Sequence, residues 1–336
     1  MNTFGRLFRI HIFGESHGTS VGISIDGCPA GLSLSTDDFT VDIERRKGGK
    51  QKGTTPRQEE DKPLFYSGVF NGSTTGAPLT IIFENNNTRS GDYEKQRAVP
   101  RPGHADFVAH QKYGGFEDFR GGGHFSGRLT LCLVAAGVVA KKLLSSIAIS
   151  GQIIEIGGEQ DLEKGLQKGI DQKDSVGGIV QCTATGLPLG LGEPFFDSVE
   201  SLISHAVFSI PAIKGIEFGA GFSAARMFGA EHNDAIEDTS GKTKTNNAGG
   251  IVGGITTGND IIFRVAVKPT SSTPKEQESL NWETGQVEKF SIKGRHDLCI
   301  ALRVPPVLEA VTAVVLADML LLEGRLATVF SSTNAG

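Results

Sequence analysis

Cysteine is scarce in this chain: Cys28, Cys132, Cys182 and Cys299 lie far apart and form no C-x-x-C pair. A reduced, cytoplasmic protein is the simplest expectation. Surplus positive charge is lacking as well, since the net charge is −5, and that speaks against a general nucleic-acid binder. No apolar run reaches the ~20 residues of a membrane span. The apolar stretch 129–140 stops at Lys141-Lys142 and reads as a core helix. The N-terminus, MNTFGRLFRIHIFGESHG, interrupts its apolar residues with charge and shows no cleavage pattern, so no signal peptide is expected. No internal repeat stands out, and no G-x-G-x-x-G opens a helix after a strand.

Glycine, by contrast, is abundant: 45 of 336 residues, against an average of roughly 7%. The glycines cluster at 114–127, 215–221 and 249–258, as they do where backbone approaches a ligand or another backbone. An apolar share of 38% with 21% charged residues suits one globular body over residues 1–336.

The densest chemistry lies at 101–130, RPGHADFVAHQKYGGFEDFRGGGHFSGRLT. Three histidines (His104, His110, His124) and three arginines (Arg101, Arg120, Arg128) share that stretch with a glycine-rich backbone. Protonatable imidazoles beside fixed cations point to a site for a small anion. A second concentration of charge, Arg45, Arg46, Lys47, Lys50, Lys52 and Arg57, reads as a clamp for phosphate or carboxylate on a mobile loop.

Along the chain, 8–13 and 21–26 read as strands around Gly14-Glu15-Ser16-His17-Gly18. GESHG matches the G-x-S-x-G elbow of hydrolases in letters only, because that motif needs a helix next and a strand follows. A helix over 37–47 delivers the basic cluster at its end. Segments 79–84, 147–156, 178–185, 250–257 and 260–268 read as strands, and 198–209 as a helix. Two helices apolar nearly all round, 129–144 and 308–322, imply a layer covered on both sides. The fold class expected is α+β, a sheet-helix-sheet sandwich with antiparallel sheets around a buried helical layer. Lys268-Pro269-Thr270-Ser271-Ser272 gathers donors for phosphate or flavin carbonyls, and Arg295 stands beside His296-Asp297.

Taken in order, GESHG at 14–18, ERRKGG at 44–49, RPGHAD at 101–106, FRGGG at 119–123, NNAGGIVGG at 246–254, KPTSS at 268–272 and GRHD at 294–297 resemble the signatures of the chorismate synthase family. The resemblance runs from residue 4 to about residue 325. It implies anti-1,4-elimination of phosphate from 5-enolpyruvylshikimate 3-phosphate, with reduced FMN as cofactor and no net redox change. It also implies a homotetramer, supplied with reduced FMN by an external, NADP-linked flavin reductant.

Carried over position by position, the resemblance makes His17 the group that protonates or stabilises the departing phosphate. His104 becomes the proton source for the reduced flavin, and Asp297 assists proton removal at flavin N5. Arg45, Arg46, Lys52, Arg101, Arg128 and Arg295 would hold the substrate's phosphate and carboxylates. His124, Phe125, Ser126, Ala212, Gly253, the loop Lys268, Pro269, Thr270, Ser271, Ser272, and Arg295 would contact FMN. His110 and Arg120 read as structural. The chain departs from the family's common form where His124-Phe125 replace Arg-Ser, Pro211 replaces asparagine and Lys52 replaces arginine. Two other readings stay open: a flavin-dependent reductase consuming reduced nicotinamide, and a non-catalytic phosphometabolite-binding protein.

Overall fold

A computed structural model describes residues 1–49, 52–55, 59–86, 97–292 and 296–330. Lys50, Arg57 and Arg295, all named above, lie outside these described residues. The first sheet contains β1 (Thr3–Phe4), β2 (Arg9–Gly14), β3 (Ser20–Asp26), β4 (Leu64–Ser67) and β5 (Leu79–Glu84), in the spatial order β1-β2-β3-β5-β4. The second contains β6 (Ala148–Ile156), β7 (Gly178–Thr185), β8 (Ile213–Phe218) and β9 (Ile261–Val267), in the order β8-β9-β7-β6. Every pairing within both sheets is antiparallel.

Alternation explains the faces. Leu79, Ile81 and Phe83 of β5 are wholly buried while Thr80, Ile82 and Glu84 are not, as a period of two requires. Likewise Ile261, Phe263 and Val265 pair with Ala184, Cys182 and Val180 in one inward row.

Between the sheets lie α3 (Thr130–Leu143) and α6 (Val304–Leu322), reached after α1 (Thr40–Arg46), α2 (Asp106–Tyr113), α4 (Leu162–Gln172) and α5 (Val199–Val207). With the turns that precede them, the helical segments Arg120–Leu143 and Ile300–Leu322 are long and apolar enough to cross a membrane by composition, yet α6 is buried inside the protein from Val304 to Leu321. They pack closely because Gly137 meets Ala310: a Cβ at position 137 would lie 2.2 Å from the Ala310 Cβ. α6 starts at Val304, four residues before the expected 308. Pro305 and Pro306 occupy its first turn, where a missing N–H has no intrahelical partner to lose.

Three local expectations change. Segment 250–257 is not one strand but a tight hairpin, Ile251–Val252 against Ile255–Thr256, because Gly253 and Gly254 both take positive φ (63° and 87°) and turn the chain. α4, β8 and a second hairpin, Gln277–Asn281 with Gln286–Phe290, were not anticipated. The strand after GESHG is present as β3, so the hydrolase elbow is excluded on structure too.

Two buried acids tie the layers to the site. Glu309 of α6 accepts a fork from Arg45 (2.6 and 2.8 Å), Lys141 Nζ at 2.8 Å and the Gly151 N–H at 2.8 Å. Asp318 accepts the backbone N–H groups of Arg6, Leu7 and Phe8 at 2.7–3.0 Å. The N-terminal segment is thereby held against α6, with Met1 and Asn2 at the edge of a large cavity.

Candidate active site

A cavity of about 870 Å³ opens where the 101–130 stretch, the 268–272 loop and the start of α6 converge. It lies at the upper end of the ~300–1,000 Å³ typical of ligand sites. Charged side chains make up one part of its wall and aliphatic ones another.

The charged wall is built from short local motifs. In RPGHAD, the chain turns at Gly103 (φ 71°) and enters α2 at Asp106. That geometry folds Asp106 back onto its own motif. Its carboxylate accepts Arg101 Nε at 2.7 Å, Arg101 Nη2 at 2.8 Å and His104 Nδ1 at 2.5 Å. Burial pushes the Asp106 carboxyl up, but the hydrogen bonds from Arg101 and His104 outweigh it and hold the group well below the usual carboxylate range. Because Nδ1 is committed to Asp106, Nε2 is the nitrogen of His104 that can trade protons. Arg101 Nη1 reaches across to Ser272 Oγ at 3.2 Å, which joins this motif to the 268–272 loop.

Arg46, on the last turn of α1, is 2% exposed. Its Nε donates to Thr130 Oγ1 (2.9 Å), and its Nη2 donates to the carbonyls of Gly127 (2.9 Å) and Arg128 (3.1 Å). Burial, with Arg303 and Arg128 close by, pushes its guanidinium down, to about 9. An anion in the cavity would relieve that cost. Asp61, held at φ 51°, sits between the two arginines, bonded to Arg128 Nη1 and 3.8 Å from Arg46 Nη1. Arg128 also donates from Nε to Asn85 Oδ1 at 3.0 Å. Asp297 accepts the Thr55 N–H at 2.8 Å and Arg303 Nη1 at 3.1 Å, so both its oxygens are engaged. Its neighbour His296 lines the cavity, where burial and the nearby Arg101 push its imidazole down.

His17 lies one layer behind this wall. A Cβ at Gly121 would stand 2.5 Å from its ring. Gly121, Gly122 and Gly123 all take positive φ (59°, 81° and 51°), and only glycine lets the backbone pass between His17 and His104 here. Ser16, in the same turn, reaches the cavity.

The remaining predicted residues divide. His124 bonds the Gly14 carbonyl (2.8 Å) and Asn2 Oδ1 (3.1 Å) at the cavity edge, with Phe125 and Ser126 beside it. Ala212 lines the cavity at φ 75°, an unusual conformation for a residue with a Cβ. From the 268–272 loop, Lys268, Thr270, Ser271 and Ser272 face inward, with Lys268 Nζ on Ser271 Oγ at 2.8 Å. Burial pushes the Lys268 ammonium down, and Lys214 adds to the effect. Thr270 Oγ1 is buried without a hydrogen-bond partner. Pro269 and Gly253 do not line the cavity, and Gly253 sits exposed in its hairpin. Arg45 is turned to Glu309, and Lys52 is exposed and bonded to Gln167 at 3.3 Å.

Sequence reasoning passed over Asp61, Asp106, Arg303 and Ser16. Asp106 had a signal in RPGHAD, where a carboxylate two residues after a histidine can hold its ring. Asp61 and Arg303 had none, because their roles arise only from contacts between distant parts of the chain.

Sandwich and cavity together define a class: an α+β enzyme with a cation-rich cleft for a small molecule. Known proteins narrow that class. The family model for chorismate synthase matches residues 8–321. A chorismate synthase of Chitinophaga pinensis is 71% identical over 333 residues, covering 99% of this chain and 100% of the relative. One from Dehalococcoides mccartyi is 44% identical over 354 residues, covering 96% and 97%. A crystal structure of chorismate synthase superposes with a TM-score of 0.74 at 27% identity, covering 95% of this chain and 93% of the other. The chain belongs to the chorismate synthase family, a family of carbon–oxygen lyases.

Proposed function

We propose that this enzyme converts 5-enolpyruvylshikimate 3-phosphate to chorismate by anti-1,4-elimination of phosphate and the C6 hydrogen, with reduced FMN bound and no net redox change. The observation that carries the reading is the mixed lining of the cavity: arginines and histidines together with aliphatic side chains. Ile300, Val304, Val307 and Val311 are apolar side chains against which a flat ring would pack. The orphaned Thr270 Oγ1 and the adjacent Lys268 and Ser271 are donors suited to phosphate or ring carbonyl oxygens. These residues fit FMN, which when bound would supply electron density to the substrate as its phosphate departs.

The chain's own residues bind, orient and move protons. Arg46, Arg101 and Arg128 hold the phosphate and carboxylates, and their fixed hydrogen bonds keep the guanidinium planes from reorienting on binding. His104 donates a proton from Nε2, and Asp106 holds the ring for that step. His17 would stabilise the departing phosphate from behind Gly121, which itself lines the cavity. Asp297, its carboxylate held by Arg303 and the Thr55 N–H, would assist proton removal at flavin N5. Arg295 completes the substrate and cofactor contacts from outside the described residues. Arg45 supports the site by anchoring α1 to Glu309, and Lys52 supplies positive charge from the surface. Gly253, outside this cavity, would touch cofactor only across a subunit contact of a homotetramer. Reduced FMN comes from an external reductant in the cytoplasm.

His104→Ala is expected to cut turnover by about 10²–10⁴-fold while substrate affinity, measured by calorimetry, stays within a few-fold. A matching collapse of affinity would remove the proton-donor role.

A further inference from the structure

His104 lines two cavities. Beside the large one, and sharing Arg101, His104, Ala105 and Phe125 with it, is a second cavity of about 40 Å³ whose wall includes Arg97, Asp106, Glu117 and Asp118. A single water needs ~10–15 Å³ and two to four polar partners, and this space offers both. Among those partners one stands out. Glu117 Oε1 is bonded to His110 Nδ1 at 3.2 Å, whereas Glu117 Oε2 is buried with no hydrogen-bond partner. A buried carboxylate oxygen without a donor costs about 1–3 kcal/mol or more unless water satisfies it.

The arrangement continues to the surface. The His110 side chain is 30% exposed, and its ring stacks on Trp282 at 4.5 Å and 17°. The Trp282 backbone N–H donates to the Ala98 carbonyl at 3.0 Å. At the inner end, His104 Nε2 lies against Gly122, whose missing Cβ would stand 3.3 Å from it, and Gly122 is part of the small cavity's wall.

We propose that His110, Glu117 and one ordered water form a proton wire that recharges His104 from solvent between turnovers. The inference rests on the proton-donor role given to His104 above. Once His104 has lost its proton from Nε2, the water gives one to it, Glu117 restores the water, His110 restores Glu117, and solvent restores His110. With reduced FMN bound, the proton entering through the wire would replace the one His104 gives to the flavin. That proton would be released from the flavin again at the end of the turnover, while the C6 proton would leave separately past Asp297, so protons in and out are equal. His110 thus leaves the structural role read for it from sequence.

The test separates the first turnover from those that follow. With reduced FMN and 5-enolpyruvylshikimate 3-phosphate mixed anaerobically, wild type, Glu117→Gln and His110→Asn are followed through the first turnover and into steady state. The wire predicts a first turnover within about twofold of wild type in both variants and a steady-state rate lowered by about tenfold or more. It also predicts that added imidazole restores the steady state in His110→Asn. Equal losses in both phases without imidazole rescue would assign these residues to packing alone, and an undiminished steady state would also overturn the wire. Wild type making no chorismate would instead remove the functional reading itself.

Discussion

Arg101 and His104 share one acceptor. Removing the Asp106 charge leaves a guanidinium and an imidazole facing each other in a partly buried site. For Asp106→Asn we expect a loss of about 2–5 kcal/mol at neutral pH, the usual cost of breaking a buried, hydrogen-bonded charge pair. The pH dependence has a definite sign. The folded carboxyl is depressed below its unfolded value of ~3.9, so its contribution is complete above that value and disappears as pH falls through the lower folded one. Melting temperatures of wild type and Asp106→Asn should therefore lie far apart from pH 7 down to about pH 4 and begin to converge only below that. Curves that stay parallel below that point would show that Asp106 gains nothing from its partners. Activity should fall in the same variant with a rise in KM, because Arg101 loses its anchor along with His104.

At the scale of elements, the crossing of α3 and α6 decides whether the sandwich closes. Gly137→Val would place its Cβ 2.2 Å from the Ala310 Cβ and 2.4 Å from the Ala310 Cα, and a helix backbone cannot move aside as a side-chain tip can. Overpacking of this kind costs about 1–3 kcal/mol, read as a lowered denaturant midpoint; an unchanged midpoint would mean that the helices have slack. The same crossing shows what was legible in the sequence. Both central helices declared themselves by being apolar on every face, and β5, β7 and β9 by alternation. α4 was missed although Leu162, Leu166 and Ile170 recur at helical spacing, because Gly165 and Gly169 weigh against a helix. They are there because a Cβ at Gly165 would lie 2.1 Å from the Ile156 carbonyl. The Gln277–Phe290 hairpin is polar on both strands and gave no periodic signal, although it carries the tryptophan that stacks on His110. In the site, histidines and arginines were readable as motifs, while Asp61 and Arg303 became visible only once residues far apart in the chain were brought together.

Across the whole molecule, a chain of net charge −5 concentrates its cations at one cavity. Arg46 is held there at an energetic cost that an anion removes, so ligand binding and folding are linked. Inorganic phosphate at about 100 times its dissociation constant should stabilise the protein by about 2.7 kcal/mol, a rise of about 5 °C in melting temperature. Arg46→Ala should abolish most of that shift; an equal shift in the variant would place the anion elsewhere. The central claim, that this cavity eliminates phosphate over a reduced flavin which ends as it began, is tested most directly in one cuvette. Enzyme, photoreduced FMN and 5-enolpyruvylshikimate 3-phosphate are mixed without oxygen, and chorismate and flavin absorbance are recorded together. The account predicts many equivalents of chorismate per flavin with the flavin still reduced. Flavin oxidised in step with product, or no chorismate at all, would contradict it.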